Sequence, residues 1–203
     1  MNITAAKAES AENRSILTAY GHSWVHGDGA SDPARRFVDL AAGRLGCVPN
    51  NFGIGGTSST QTADLVVREP PPASLLYLVM TGLNDARLHG TSSKALDSYV
   101  AALQTIFRAL TTADPSALLI AVEQPHLVDY SLHAPHDRGS DALLDAYNHR
   151  LRSVVSRRPR VVLATASDWD PGMMLAADTV HPNDAGHLEL ARAVVRAAGK
   201  MGQ

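Results

Sequence analysis

The stretch Ser74-Leu75-Leu76-Tyr77-Leu78-Val79-Met80-Thr81-Gly82-Leu83-Asn84-Asp85 decides how this chain is read. Its first seven residues form a nearly continuous apolar run, which predicts a strand covered on both faces, as in a parallel sheet. The five that follow emerge at the carboxyl end of that strand. Ligands of open parallel sheets bind beyond the strand carboxyl ends, so residues in such positions are where chemistry is sought.

Working outward, four more short runs flank this one. Ile16–Tyr20 ends at Gly21 and reads as the first strand. Cys47-Val48 leads through Asn51-Phe52-Gly53-Ile54 into Gly55-Gly56, a second strand with a glycine-rich exit. Ala117–Val122 and Val161–Ala164 read as the fourth and fifth. Helical stretches lie between them. Ser31 or Asp32 caps the first, Pro33 suits its first turn, and Gly46 suits its end. Thr62–Arg68 reads as a short helix stopped by the prolines at 70–72. Leu96, Tyr99, Val100, Leu103, Ile106, Phe107 and Leu110 repeat at helical spacing. Leu143–Val155 and Ala185–Ala198 follow, the last capped by Asn183 or Asp184, and 126–140 reads as a polar, histidine-rich loop. Alternating strands and helices call for right-handed crossovers. The expected fold is α/β: a three-layer α/β/α sandwich around a flavodoxin-like five-stranded parallel sheet, in the order 2-1-3-4-5.

At 203 residues, 45% hydrophobic and 19% charged, the chain suits one compact domain over 15–203 behind a flexible polar arm at 1–14. A net charge of −2 supplies no electrostatic reason for nucleic acid or an anionic membrane as partner. A single cysteine, Cys47, excludes an internal disulfide framework. The apolar runs fall far short of the roughly 20 residues that span a bilayer, and the N-terminus lacks an apolar signal core. The expectation is a soluble cytoplasmic protein whose partner is a small molecule.

Four segments follow the strands: Gly21-His22-Ser23-Trp24, Gly53-Ile54-Gly55-Gly56-Thr57, Thr81-Gly82-Leu83-Asn84-Asp85 and, after a loop, Asp178-Thr179-Val180-His181-Pro182-Asn183. Three carry the side chains of acyl transfer. A serine hydroxyl needs a base within hydrogen-bond reach. His181 can supply it, and Asp178 can fold back to orient the imidazole. The developing oxyanion needs donors already in place: the Ser23 N–H, a glycine N–H of the second segment, and the Asn84 amide.

These segments resemble the four sequence blocks of the SGNH (GDSL-type) hydrolase family. "GHS" at 21–23 matches the first, "NFGIGGT" at 51–57 the second, "GLND" at 82–85 the third and "DTVH" at 178–181 the fourth. They occur in family order and extend over residues 15–187. The resemblance implies a Ser23–His181–Asp178 triad and an oxyanion hole of Ser23, Gly56 and Asn84. It implies hydrolysis of acyl or acetyl esters, or thioesters, through an acyl-enzyme, with no metal or organic cofactor. One departure stands out: the family usually has aspartate before the serine, and here it is His22. If the strand continues to that point, His22 and Ser23 face opposite ways, and His22 replaces a supporting contact.

Other readings attach to the same residues. His22, His26 and Asp28 raise a metal site, against polar loop residues near a cleft. Asp85 orders its loop, and His187 with Asp184 belongs to the first turns of the last helix. The loop carrying His126, His133 and His136 either covers the substrate or is a solvated connection. Trp24 and His22 are candidate substrate contacts; Trp169 lines the cleft or anchors its loop. Alternatives to an esterase are an acyltransferase using the same triad, a metal-dependent hydrolase, and a binding module that has lost turnover.

Overall fold

Each of the five apolar runs forms a strand in a computed structural model that describes residues 16–200: β1 (Ile16–Gly21), β2 (Val48–Gly53), β3 (Leu76–Met80), β4 (Leu118–Val122) and β5 (Val161–Ala164). The expected arm at 1–14 lies outside the described residues. All neighbouring strands pair in parallel, in the order β2-β1-β3-β4-β5. The central strand β3 is buried at every position, the reason its sequence shows no polar alternation. The edge strand β2 starts exposed, with Val48 at 63%. Tyr20 stands in register between Phe52 and Val79 and stacks on the Phe52 ring at 5.0 Å.

Helices cover both faces. On one, α2 (Phe37–Arg44) packs against the last helix, Asp184–Gly199. On the other, α3 (Ser59–Arg68) packs on the long Ser93–Ala113 helix, which packs in turn on Asp141–Val155. Three shorter helices complete the set, so that in chain order they are α1 (Ser23–His26), α2, α3, α4 (Leu83–His89), α5 (Ser93–Ala113), α6 (Asp141–Val155), α7 (Pro171–Met174) and α8 (Asp184–Gly199). Among the described residues no helix is long and apolar enough to cross a membrane.

The structure departs from the expected elements at their starts. Asp32 does act as a cap, accepting from the Ala34 N–H at 2.8 Å, but it opens a 3-10 turn over Pro33–Arg35. Arg36 is extended, so α2 starts only at Phe37 and has no side-chain cap. By contrast α3 starts before Thr62, because Ser58 and Gln61 form a capping box. The helices α1, α4 and α7 were not expected. Each spans at most seven residues, too few to display a 3.6-residue period.

Candidate active site

The strand-to-helix turn after β1 places Ser23. Gly21 ends the strand at φ +152°, and a Cβ there would meet the Met80 carbonyl oxygen at 2.0 Å, so the turn lies hard against β3. The strand does not continue to Ser23, so the condition on which His22 and Ser23 would face opposite ways is not met. His22 is instead the N-cap of α1, and its Nδ1 accepts the Trp24 N–H at 3.3 Å. That leaves Nε2 protonated, donating to Gln124 Oε1 at 3.1 Å. Burial pushes the His22 pKa down to about 4, against a smaller upward effect of the Gln124 hydrogen bond. The ring is therefore neutral at neutral pH.

Asp178 and His181 meet in a tight turn before α8. Thr179 takes φ +63°, which folds Asp178 back. Asp178 Oδ1 accepts the Val180 and His181 N–H groups at 3.0 and 2.9 Å, and Oδ2 accepts His181 Nδ1 at 2.6 Å. Burial raises the Asp178 carboxyl, but these hydrogen bonds outweigh it and hold the group below its ordinary value of 3.8. With Nδ1 donating, His181 presents Nε2 as an acceptor. Asn183 fastens the turn: its amide donates to the Met173 and Leu175 carbonyls, and its Oδ1 caps the first N–H groups of α8.

The remaining expected donors come from two further strand ends. Gly56, after β2, lies in the left-handed region at φ +75°, where a side chain is strained. Asn84, in the first turn of α4, donates from Nδ2 to the Thr57 carbonyl at 2.9 Å. The neighbouring Asp85 accepts the Ser59 N–H at 2.8 Å and the Ser59 hydroxyl at 2.5 Å, tying α4 to the start of α3. This is the loop-ordering role expected of it.

One cavity of about 220 Å³ is lined by Ser23, Gly55, Gly56, Asn84, Val180 and His181, together with Asp28, Arg87, His133 and His136. The expected nucleophile, base and oxyanion donors thus share one opening, although they come from four separate segments. Ser23 and His181 are not hydrogen bonded to one another in this arrangement. His181 Nε2 lies instead 3.9 Å from Asp28 Oδ2, and such contacts commonly close only when substrate is present.

Trp24 and His22 are not substrate contacts: both side chains are 0% exposed and neither lines the cavity. Trp24 turns into the core because α1 begins at Ser23 and carries the next residue inward, where it stacks on Trp169 at 5.4 Å. Trp169 anchors its loop by donating from Nε1 to the His126 carbonyl at 2.9 Å. His126 and Trp169 face a separate cavity of about 320 Å³. His26 pairs with Asp28 at 2.5 Å while His22 is bound to Gln124, so the three side chains raised as a metal site do not converge. His187 sits in the first turn of α8, with Nε2 donating to the Asp28 carbonyl and Nδ1 accepting the Phe37 N–H. Arg87 went unread as a site residue; lying one turn after Asn84, it becomes visible only once that segment is known to be helical.

The chain resembles solved structures across nearly its whole length. A member of the lipolytic protein G-D-S-L family from Veillonella parvula matches with a TM-score of 0.65 at 17% identity, over 91% of this chain and 98% of that one. A family 3 carbohydrate esterase from Clostridium thermocellum matches with a TM-score of 0.66 at 16% identity, over 92% and 96%. Another from Talaromyces cellulolyticus matches with a TM-score of 0.65 at 18% identity, over 92% and 97%. No curated protein matches the chain. The profile of the GDSL-like lipase/acylhydrolase family matches residues 19–188, which hold every segment lining the cavity, and the chain belongs to that family of hydrolases.

Proposed function

We propose that this protein is a serine esterase working through an acyl-enzyme. The observation that carries the reading is the His181 Nδ1–Asp178 Oδ2 contact of 2.6 Å, which leaves Nε2 as the acceptor of a ring that lines the same cavity as Ser23. Ser23 Oγ attacks the ester carbonyl while His181 Nε2 takes its proton. The negative oxygen is met by the Ser23 and Gly56 N–H groups and the Asn84 amide. Collapse breaks the bond to the leaving alcohol, which receives the proton from His181. Water then repeats the sequence: His181 takes its proton, hydroxide attacks the acyl carbon, and Ser23 leaves with the proton restored. Asp178 keeps its negative charge throughout and stabilises the imidazolium. A cavity of about 220 Å³ supports acyl groups of modest size, and the likeness to carbohydrate esterases supports an ester as the bond broken.

The test is hydrolysis of a short-chain aryl acetate with a fluorophosphonate probe in parallel. Ser23→Ala should lower kcat by about three orders of magnitude or more, and mass spectrometry should find the phosphonyl adduct on Ser23. Equal rates for the two proteins would remove the serine mechanism. An acceptor alcohol that raises the rate of acyl release and is itself acylated would identify the acyltransferase variant instead.

A further inference from the structure

Arg87 brings a buried cation into the cavity with no ion-pair partner among the described residues. The side chain is 3% exposed. Nη2 donates to the Leu132 carbonyl at 2.9 Å, while Nε is buried without an acceptor. Among the described residues no carboxylate stands within ion-pair distance of the guanidinium. An ion taken out of water is costly unless its donors are met, and burial pushes the Arg87 pKa down, against weaker support from Tyr130, Asp137 and Asp178. A second orphan adjoins it. His136 also lines the cavity, and its Nε2 is buried without a partner. Burial and then the Arg87 charge lower its pKa, so at neutral pH it is an uncharged hydrogen-bonding group.

A loop anchor alone would not need this arrangement. The Leu132 carbonyl asks for one donor, and the Arg138 N–H already fastens the loop to the Arg87 carbonyl at 3.2 Å. A planar fork with unused N–H groups matches a carboxylate. Its distance from the chemistry is also defined. Arg87 follows Asn84 by three residues on α4, which sets the two on one helix face, about 5–6 Å apart at Cβ. The cavity's own carboxylate, Asp28, lies instead against His181 Nε2, and an anion would turn away from it.

We propose that Arg87 and His136 bind a carboxylate carried by the substrate, so that the ester hydrolysed is an anionic one with its charge a few bonds from the scissile carbonyl. This rests on the esterase reading for its substrate and on the cavity alone for its anion. The carboxylate belongs either to the acyl part or to the alcohol part, and two matched pairs of esters tell them apart. On the acyl side the pair is mono(4-nitrophenyl) adipate and its methyl ester. On the alcohol side it is 4-acetoxybenzoate and methyl 4-acetoxybenzoate.

In the wild-type protein, kcat/KM for the anionic member of one pair should exceed that of its neutral partner by about tenfold or more. The ratio should fall close to one in Arg87→Gln and stay intermediate in Arg87→Lys, which keeps the charge and loses the fork. Calorimetric titration of glutarate gives a readout that needs no turnover: binding should weaken about tenfold in Arg87→Gln and by less in His136→Phe. Wild-type ratios at or below one for both pairs, with glutarate unbound, would overturn the proposal even if neutral esters are turned over. So would an unchanged ratio in a folded Arg87→Gln protein. If no ester of either pair is hydrolysed, the esterase reading fails by itself, and Arg87-dependent glutarate binding still decides the anion site.

Discussion

In the proposed mechanism Asn84 divides its amide between structure and chemistry. One Nδ2 proton is committed to the Thr57 carbonyl, and Thr57 is held by Ile54, whose N–H returns to the Gly21 carbonyl. A primary amide has a second proton, which this bracing aims without adding a reorganisation cost. Asn84→Ala should therefore lower kcat about 10²- to 10³-fold with little change in KM, because the donor acts mainly on charge that appears in the transition state. Steady-state kinetics on a single aryl ester measure this, and a kcat within threefold of wild type would exclude the role. His22 shows how a departure from the family pattern can keep a structural role. The family's aspartate is replaced by a ring whose Nδ1 accepts the Trp24 N–H, the service a carboxylate gives at a helix N-cap. Here the cap is supplied by a buried ring that is neutral at neutral pH.

Among elements, α3 matters beyond its packing. Its capping box sets where the helix begins, and the first residue inside it, Ser59, gives both of its donors to Asp85 beside Asn84. The negative carboxylate also suits the positive end of the helix. Ser58→Ala removes half of the box and should cost about 1 kcal/mol, seen as a fall of about 2–4 °C in Tm for a chain of this size. Because α3 holds Asp85, the same variant should lose activity more than stability accounts for at 25 °C. Calorimetry and ester assays on one preparation check both parts; a normal kcat in a measurably destabilised protein would show that the α3–Asp85 link does not reach the cavity.

At the scale of the whole molecule, two buried histidines give the fold an acid sensitivity within the ordinary working range. Desolvation lowers both His22 and His187 to about 4. Between that value and the unfolded 6.5, the unfolded chain binds the extra protons, so stability rises with pH. The contribution of each is fully present above pH 6.5 and is lost as pH falls toward 4. Going from pH 7 to pH 5 should remove about 2 kcal/mol per histidine. Asp178 and Asp184 are lowered and lose their contributions only below their ordinary 3.8, while Asp85, raised by burial, works in the opposite sense above it. Urea denaturation at pH 7 and pH 5 should show the fall, and His187→Asn should flatten it. Midpoints independent of pH over this interval would show that neither ring is held neutral by the fold.

The parallel sheet was legible because strands buried on both faces, such as β3, have no room for polar residues, and because helices as long as α5 repeat their apolar stripe several times. The strand order β2-β1-β3-β4-β5 matches the one expected of a flavodoxin-like sheet, an expectation carried by the fold class and by no single residue. The candidate site was legible as far as it lies just past strand ends, as Ser23 and Asn84 do, whereas the choice of Gly56 among the glycines after β2 rested on the family resemblance, and Asp178 and His181 follow β5 only after a loop and α7. The short helices α1 and α4 were not, since fewer than eight residues show no period; with them went the inward turn of Trp24 and the placing of Arg87 one turn beyond Asn84. Sequence alone therefore determined the architecture and the chemical cast, both written in local patterns of hydrophobicity and residue type. Only the tertiary structure decided which side chains are buried without partners and which face the cavity, because burial and charge balance depend on segments more than a hundred residues apart.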